Sequence, residues 1–161
     1  IKLYEVQKVL WVPMWKFDQE PLQTSENKEF DMCFIGHLSE RRMKKIMQLR
    51  QKYNIFFAEK VSDHDFWVAT FKSKMIINIH AFDEYTIFEM ARICRLLGSK
   101  IPILSEVSES PIEDFFYMLS LPSVFWCTYN NLICMAEFIL NEYIEIDDTP
   151  RFSYLQLLSS K

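Results

Sequence analysis

The sequence predicts an α/β protein built on a parallel sheet, and residues 74–106 carry most of that prediction. A short apolar run at 75–79 is typical of a strand covered on both faces. A helical pattern follows at 86–97, and Gly98 can stop that helix. A second apolar strand then ends at Glu106. The apolar face of the helix carries Met90, Ile93, Cys94 and Leu97. A strand, a helix and a second strand in this order form a βαβ unit, so the two strands should be parallel.

Upstream of this unit the pattern predicts two more strands and two more helices. Ser39 can cap the first helix, and Ser62 with Asp65 forms a capping-box-like start for the second. In chain order these elements are a strand at 30–35, a helix at 40–53, a strand at 54–58 and a helix at 63–71. An entry strand at 2–13 and a loop at 15–29 precede them.

Downstream of the unit the predicted elements are a helix at 112–119, a strand at 124–128, a helix at 131–143 and an amphipathic tail at 152–158. Alternation of strands and helices throughout predicts a Rossmann-like parallel sheet of about five strands with helices on both faces. We therefore divide the chain into an entry strand and loop, a Rossmann-like domain and a C-terminal amphipathic tail, at 1–29, 30–147 and 148–161.

Composition excludes several classes of protein. Half of the 161 residues are hydrophobic and 16% are aromatic, which argues against disorder. A net charge of -4 argues against a general nucleic-acid binder, because nonspecific affinity comes from cations that neutralise phosphates. No apolar run is long enough for a membrane span and no secretory leader is evident, so we expect a soluble cytoplasmic protein.

The two glycines, Gly36 and Gly98, are too few for a G-x-G-x-x-G dinucleotide loop or a P-loop. The four cysteines lie in or beside apolar stretches without a C-x-x-C motif, which predicts buried thiols rather than disulfides. Cysteines and histidines also lack a zinc-like spacing. The sequence therefore predicts neither a metal site nor a cofactor.

The polar residues of the central unit resemble those of a known family. The segment has NIH at 78–80 after a strand, a helix bearing Glu89 and Arg92 as E-x-x-R, and a strand ending in SE. It resembles the nucleotide-sugar-binding half of GT-B glycosyltransferases, particularly the spore-maturation branch. FDMCFIGHLSERR at 30–42 is similar to that family's strand, glycine turn and basic helix start. Together the matches cover roughly residues 9–106. The resemblance implies a donor domain that binds a nucleotide diphosphate sugar for transfer to an acceptor hydroxyl, with a separate acceptor-binding domain or chain as partner.

The pyrophosphate of such a donor suits a helix N-terminus aided by a cation. Gly36 would allow close backbone approach, the helix after Ser39 would point its positive end at the phosphates, and Arg41 or Arg42 would supply the cation. The alternative is an ordinary turn followed by the solvated face of a helix. That face would display the basic cluster Arg41, Arg42, Lys44 and Lys45.

By the same resemblance the Glu89 carboxylate binds the ribose hydroxyls. The alternatives are a capping box with Thr86 and an ion pair with Arg92. His80 is assigned to the donor sugar or phosphate, against a structural role. Ser105 and Glu106 end a strand at the ligand edge, where Glu106 would accept a sugar hydroxyl, against simple solvent exposure.

The chain departs from the family at Ala81, where GT-B enzymes often carry a second acidic residue that touches the sugar. Asp83 or Glu84 could substitute for it. The catalytic residues are unknown, because the base of an inverting enzyme usually comes from the other half. We therefore expect little sugar transfer by the isolated chain.

A different class of function is a nonenzymatic α/β interaction module derived from a GT-B half, which Ala81 and the shortness of the chain favour. A receiver-like signalling domain ranks low, because an acidic pair at an early strand end and a later lysine are missing. The spacing of the apolar residues in the tail predicts an apolar stripe on a terminal helix. An uncovered stripe favours self-association as a symmetric homodimer. Its residues are Phe152, Tyr154, Leu155 and Leu158.

Overall fold

The computed structural model describes residues 27–84, 86, 89–96, 99, 101–109 and 123–142. Within these ranges five strands alternate with four helices. In chain order they are β1 (Phe30–Ile35), α1 (Glu40–Arg50), β2 (Ile55–Ala58), α2 (Asp63–Phe71), β3 (Ser73–Asn78), α3 (Met90–Leu96), β4 (Ile103–Glu106), β5 (Val124–Cys127) and α4 (Leu132–Glu142).

The five strands form one parallel sheet in the order β2-β1-β3-β4-β5. The prediction of a Rossmann-like parallel sheet of five strands is therefore confirmed. From β1 the chain first builds outward to β2 and then returns to build β3, β4 and β5 on the other side. This reversal creates a topological switch point between β1 and β3, where the loops leaving the carboxyl ends diverge and a crevice can form.

Two hydrophobic clusters cover the two faces of the sheet. On β3 the buried side chains alternate, so Met75 and Ile77 join one cluster while Ile76 joins the other. The first cluster includes residues of α1 and α4, such as Ile46 and Leu132. The second includes residues of α2 and α3. Helices on both faces are thus confirmed, and burial on both sides explains why the strands read as continuous apolar runs.

The two predicted helix caps are present. Ser39 Oγ accepts a hydrogen bond from the backbone N–H of Arg42 at 3.4 Å. Ser62 Oγ accepts from the N–H of Asp65 at 3.1 Å and donates to the Asp65 carboxylate at 2.7 Å. Each cap satisfies an N–H that the helix leaves unpaired at its start.

Predicted boundaries are wrong at several elements, by one residue at β2, β5 and the start of α4 and by more at three others. The first helix ends at Arg50 rather than at 53, β3 spans Ser73–Asn78 rather than 75–79, and α3 begins at Met90 rather than at 86. The capping box on Thr86 is also wrong, because Thr86 Oγ1 accepts from the backbone N–H of Glu109 at 2.9 Å. Thr86 therefore anchors a loop instead of capping a helix.

Cys33 and Cys127 are buried as predicted, and burial raises the pKa of both thiols to about 12. Cys134 is exposed, so the prediction of a buried thiol is wrong there. The entry strand at 2–13, the helix at 112–119 and the tail lie outside the described residues, as does most of the 15–29 loop. No helix in the described part of the chain is long and apolar enough to cross a membrane.

Candidate functional site

The predicted site residues lie at the carboxyl edge of the sheet, around the switch point. β1 ends beside Gly36, and α1 then brings Arg41 and Arg42 back over the strand ends. β3 leads into His80, and β4 ends at Glu106. Because parallel strands all end at the same edge, residues far apart in sequence meet there.

Arg41 and Glu106 form a two-pronged ion pair. Arg41 Nη1 donates to Glu106 Oε2 at 2.8 Å and Arg41 Nη2 donates to Oε1 at 2.5 Å. Arg41 Nη1 also donates to the His80 carbonyl at 3.1 Å, and its Nε donates to Asp83. Glu106 Oε2 accepts in addition from the His80 N–H at 3.0 Å. Burial by itself would lower the pKa of Arg41, but the bonds to Glu106 and Asp83 raise it overall. The pair therefore ties α1 to the ends of β3 and β4.

Arg42 is buried and bonded in three directions. Its Nε donates to the carbonyl of Ile79 at 2.6 Å and its Nη1 to that of His37 at 3.0 Å. Its Nη2 donates to Glu89 Oε1 at 2.5 Å. Burial lowers the pKa of Arg42 and the charge of Glu89 opposes that shift. Arg42 thus holds the turn after β1 against the end of β3.

Arg92 completes the network from α3. Its Nη1 donates to Asn78 Oδ1 at 2.9 Å and to Glu89 Oε2 at 2.7 Å. Asn78 Nδ2 in turn donates to Ser105 Oγ at 3.1 Å. A Cβ added at Gly36 would lie 2.6 Å from Arg92 Nη2. The Arg92 guanidinium therefore fills the space beside Gly36. In this structure the backbone at Gly36 is not open to a ligand.

We call these eleven residues the edge network. They are Gly36, His37, Arg41, Arg42, Asn78, Ile79, His80, Glu89, Arg92, Ser105 and Glu106.

The solvated-face alternative is wrong for most of the basic cluster. Arg42 and Lys45 are buried, the Arg41 side chain is only 12% exposed, and Lys44 alone lies in solvent. The predicted ion pair between Glu89 and Arg92 exists. It does not exclude a ligand, since 24% of the Glu89 side chain is exposed.

The assigned residues differ in how a ligand could reach them. Glu106 is not solvent-exposed, because its side chain is only 6% accessible and both oxygens are bonded. Ser105 is fully buried. His80 is also buried, and its Nε2 has no hydrogen-bond partner among the described residues. Contact of these three with a ligand requires the strand ends to open, and their assigned roles stay predictions. His37 turns away to pair with Glu59.

Two side chains that the sequence did not assign to the site lie beside it. Tyr129, just beyond β5, donates its hydroxyl hydrogen to the Arg41 carbonyl at 2.9 Å, and Arg41 Cζ lies 3.8 Å from its ring centroid. Lys45 Nζ lies 4.5 Å from the same centroid. The available signal was spacing, since Lys45 follows Arg41 by one helical turn and Tyr129 follows a strand end. Among the described residues no group of three or more His, Cys, Asp or Glu could hold a metal ion.

Sequence comparison finds relatives in Acanthamoeba polyphaga mimivirus, all of them uncharacterized proteins. One is 27% identical over 139 residues, which cover 80% of this chain and 44% of the relative. Another is 30% identical over 118 residues, which cover 67% of this chain and 16% of the relative. A third is 26% identical over 133 residues, which cover 82% of this chain and 47% of the relative. The chain thus spans less than half the length of these relatives. No family model and no solved structure matches it.

Proposed function

We propose that this chain is the donor-binding domain of a GT-B-like glycosyltransferase, which binds a nucleotide diphosphate sugar at the carboxyl edge of β1, β3 and β4. One observation supports the proposal above all: the eight residues assigned from the resemblance belong to a single contact network at the switch point. They are Gly36, Arg41, Arg42, His80, Glu89, Arg92, Ser105 and Glu106.

The chemistry of the network suits such a ligand. Arginine presents a planar fork of N–H donors that matches phosphate oxygens. A carboxylate has about four acceptor positions, and Arg42 and Arg92 use one on each oxygen of Glu89. Because Glu89 is also partly exposed, it keeps positions with which to accept two ribose hydroxyl hydrogens. Glu89 is therefore the best-placed ligand group of the network.

Sugar transfer itself needs a second surface that holds the acceptor and faces this edge. The chain spans less than half of its curated relatives, which leaves room for such a domain in a longer polypeptide. In this proposal the chain supplies donor binding, and the acceptor hydroxyl and any catalytic base come from elsewhere.

A second candidate function is a nonenzymatic α/β interaction module. The observation that favours it is that Arg41, Arg42 and Arg92 are each already paired with a carboxylate inside the protein. Ala81 also stands where GT-B enzymes often carry an acid. In this alternative the ion pairs only hold the strand ends and helix starts together.

Titration with nucleoside diphosphates separates the two candidates. A donor domain should bind at least one of UDP, GDP, ADP or CDP, with a rise in melting temperature. Ligand at about 100 times its dissociation constant stabilises the fold by about 2.7 kcal/mol. An unchanged melting temperature with all four, and with their sugar conjugates, would favour the interaction module.

The Glu89→Gln variant tests the ribose contact. We expect it to weaken nucleoside diphosphate binding by about 1–3 kcal/mol, the scale for losing a charged hydrogen bond. Glu29→Gln is the matched control, because Glu29 is an exposed carboxylate before β1, at the opposite edge of the sheet. Isothermal titration calorimetry gives the affinities, and circular dichroism shows that the variants are folded. Equal affinities of wild type and Glu89→Gln would remove Glu89 from the site.

A further inference from the structure

Lys45 is a buried lysine whose ammonium group has no hydrogen-bond or carboxylate partner among the described residues. The residue is 8% exposed, and its Nζ lies 4.5 Å from the centroid of the Tyr129 ring. A cation over a ring gains modest stabilisation but uses none of the three N–H donors. All three donors are therefore available to the oxygen atoms of an anion that comes to the Tyr129 ring.

Arg41 lies against the same ring, so two cationic side chains meet at Tyr129. We call Arg41, Lys45 and Tyr129 the Tyr129 corner. Burial raises the pKa of the Tyr129 phenol against the opposing charge of Arg41, so the phenol stays a neutral donor to the Arg41 carbonyl. That bond holds the start of α1 beside β5 and fixes the corner.

The charges of the site do not balance. Four cations face three carboxylates, which leaves one positive charge in excess. The cations are Arg41, Arg42, Arg92 and Lys45, and the carboxylates are Asp83, Glu89 and Glu106. Because Lys45 is the cation without a carboxylate, the excess lies at the Tyr129 corner.

Asp83 and Glu106 hold Arg41 in different ways. Glu106 is 6% exposed and takes both Nη groups, so it belongs to the interior. Asp83 is 80% exposed and takes only Nε. Because the Asp83 carboxylate lies in solvent, it gives up little on leaving Arg41, and another anion can replace it at low cost.

We infer that the Tyr129 corner is a phosphate-binding subsite, in which Asp83 occupies the Nε edge of Arg41 until a phosphate displaces it. Lys45 then donates to the phosphate oxygens that Asp83 cannot reach. The subsite rests on the proposed function only for the source of the phosphate, which would be the diphosphate of the donor. Its chemistry requires no more than inorganic pyrophosphate.

Pyrophosphate titration with two lysine variants tests the cation. Lys45→Met removes the charge and keeps the length of the side chain, and we expect it to weaken pyrophosphate binding about tenfold or more. Lys44→Met is the matched control, because it removes the same charge from the exposed neighbouring position. It should change the affinity by about twofold at most.

Asp83→Asn tests the displaced carboxylate and, at an exposed position, should not impair folding. We expect it to raise pyrophosphate affinity about two- to fivefold, the factor that corresponds to a weak ion pair. Glu84→Gln, the same change at the exposed adjacent residue, should give a smaller effect. A phosphate site should also bind more weakly as salt is raised, because salt screens exposed charges.

The outcomes separate this inference from the proposed function. If pyrophosphate binds with these variant effects but no nucleoside diphosphate binds more tightly, the subsite stands and the donor assignment fails. If a nucleoside diphosphate binds and neither Lys45→Met nor Asp83→Asn changes the affinity for it or for pyrophosphate, the subsite is overturned and the donor assignment stands. Absence of pyrophosphate binding to both wild type and Asp83→Asn overturns the subsite outright.

Discussion

Gly36→Ala should destabilise the protein through a collision with Arg92. The new Cβ would lie 2.6 Å from Arg92 Nη2, closer than real Cβ atoms come to other atoms, and 3.1 Å from its Cζ, which is tighter than most real contacts. The φ of Gly36 is +158°, a backbone conformation that residues with a side chain rarely adopt, so backbone strain adds to the crowding. The guanidinium must move, which weakens its hydrogen bond to Asn78 and its ion pair with Glu89.

Overpacking of this kind costs about 1–3 kcal/mol. In a domain of this size that corresponds to about 2–4 °C of melting temperature per kcal/mol. Urea denaturation followed by circular dichroism measures the cost, and the slope against urea should stay unchanged because the surface exposed on unfolding is the same.

A double-mutant cycle shows whether Arg92 is the cause. In an Arg92→Met background the guanidinium is gone, and the cost of Gly36→Ala should fall to that of the backbone strain alone. Arg95→Met is the control, because Arg95 lies on the same helix but pairs with Asp63, away from Gly36. In the Arg95→Met background, the costs of the two substitutions in unfolding free energy should add. The reasoning is refuted if Gly36→Ala costs the same with and without the Arg92 guanidinium.

Two further predictions concern buried groups. Glu106→Gln should lower the free energy of unfolding by about 3 kcal/mol, since it leaves Arg41 partly unpaired, while Glu109→Gln at an exposed site should cost little. Urea midpoints measure both, and equal midpoints would contradict the role of the Glu106 pair. Burial raises the pKa of Cys33 and Cys127 from 9.0 to about 12, so the stability that thiol burial contributes is complete below about pH 9 and is lost as the pH rises toward 12. The unfolding free energy should therefore fall as the pH rises above about 9, and that of a variant with both cysteines changed to alanine should fall less steeply. Equal slopes would assign the loss to other groups.

The boundaries that the sequence predicted well are those with a local cause. Ser62 with Asp65 set the start of α2, and the predicted span of that helix is confirmed. The start of α3 was wrong because its signal was not local. Thr86 bonds to Glu109, more than twenty residues away, and a pattern of neighbouring residues cannot report that contact. The interiors of strands were predictable because both faces are buried, which leaves a plain apolar run.

The sequence by itself determined the α/β class, the parallel sheet and the grouping of polar residues at one edge, because periodicity and strand order suffice for these. Only the tertiary structure decided which charges meet. Arg42 pairs with Glu89 across 47 positions and Arg41 pairs with Glu106 across 65, so both pairs exist only once the sheet has brought its strand ends together. Burial was decided at the same stage, since Lys45 reads as a surface residue until Tyr129 and the end of β5 close over it.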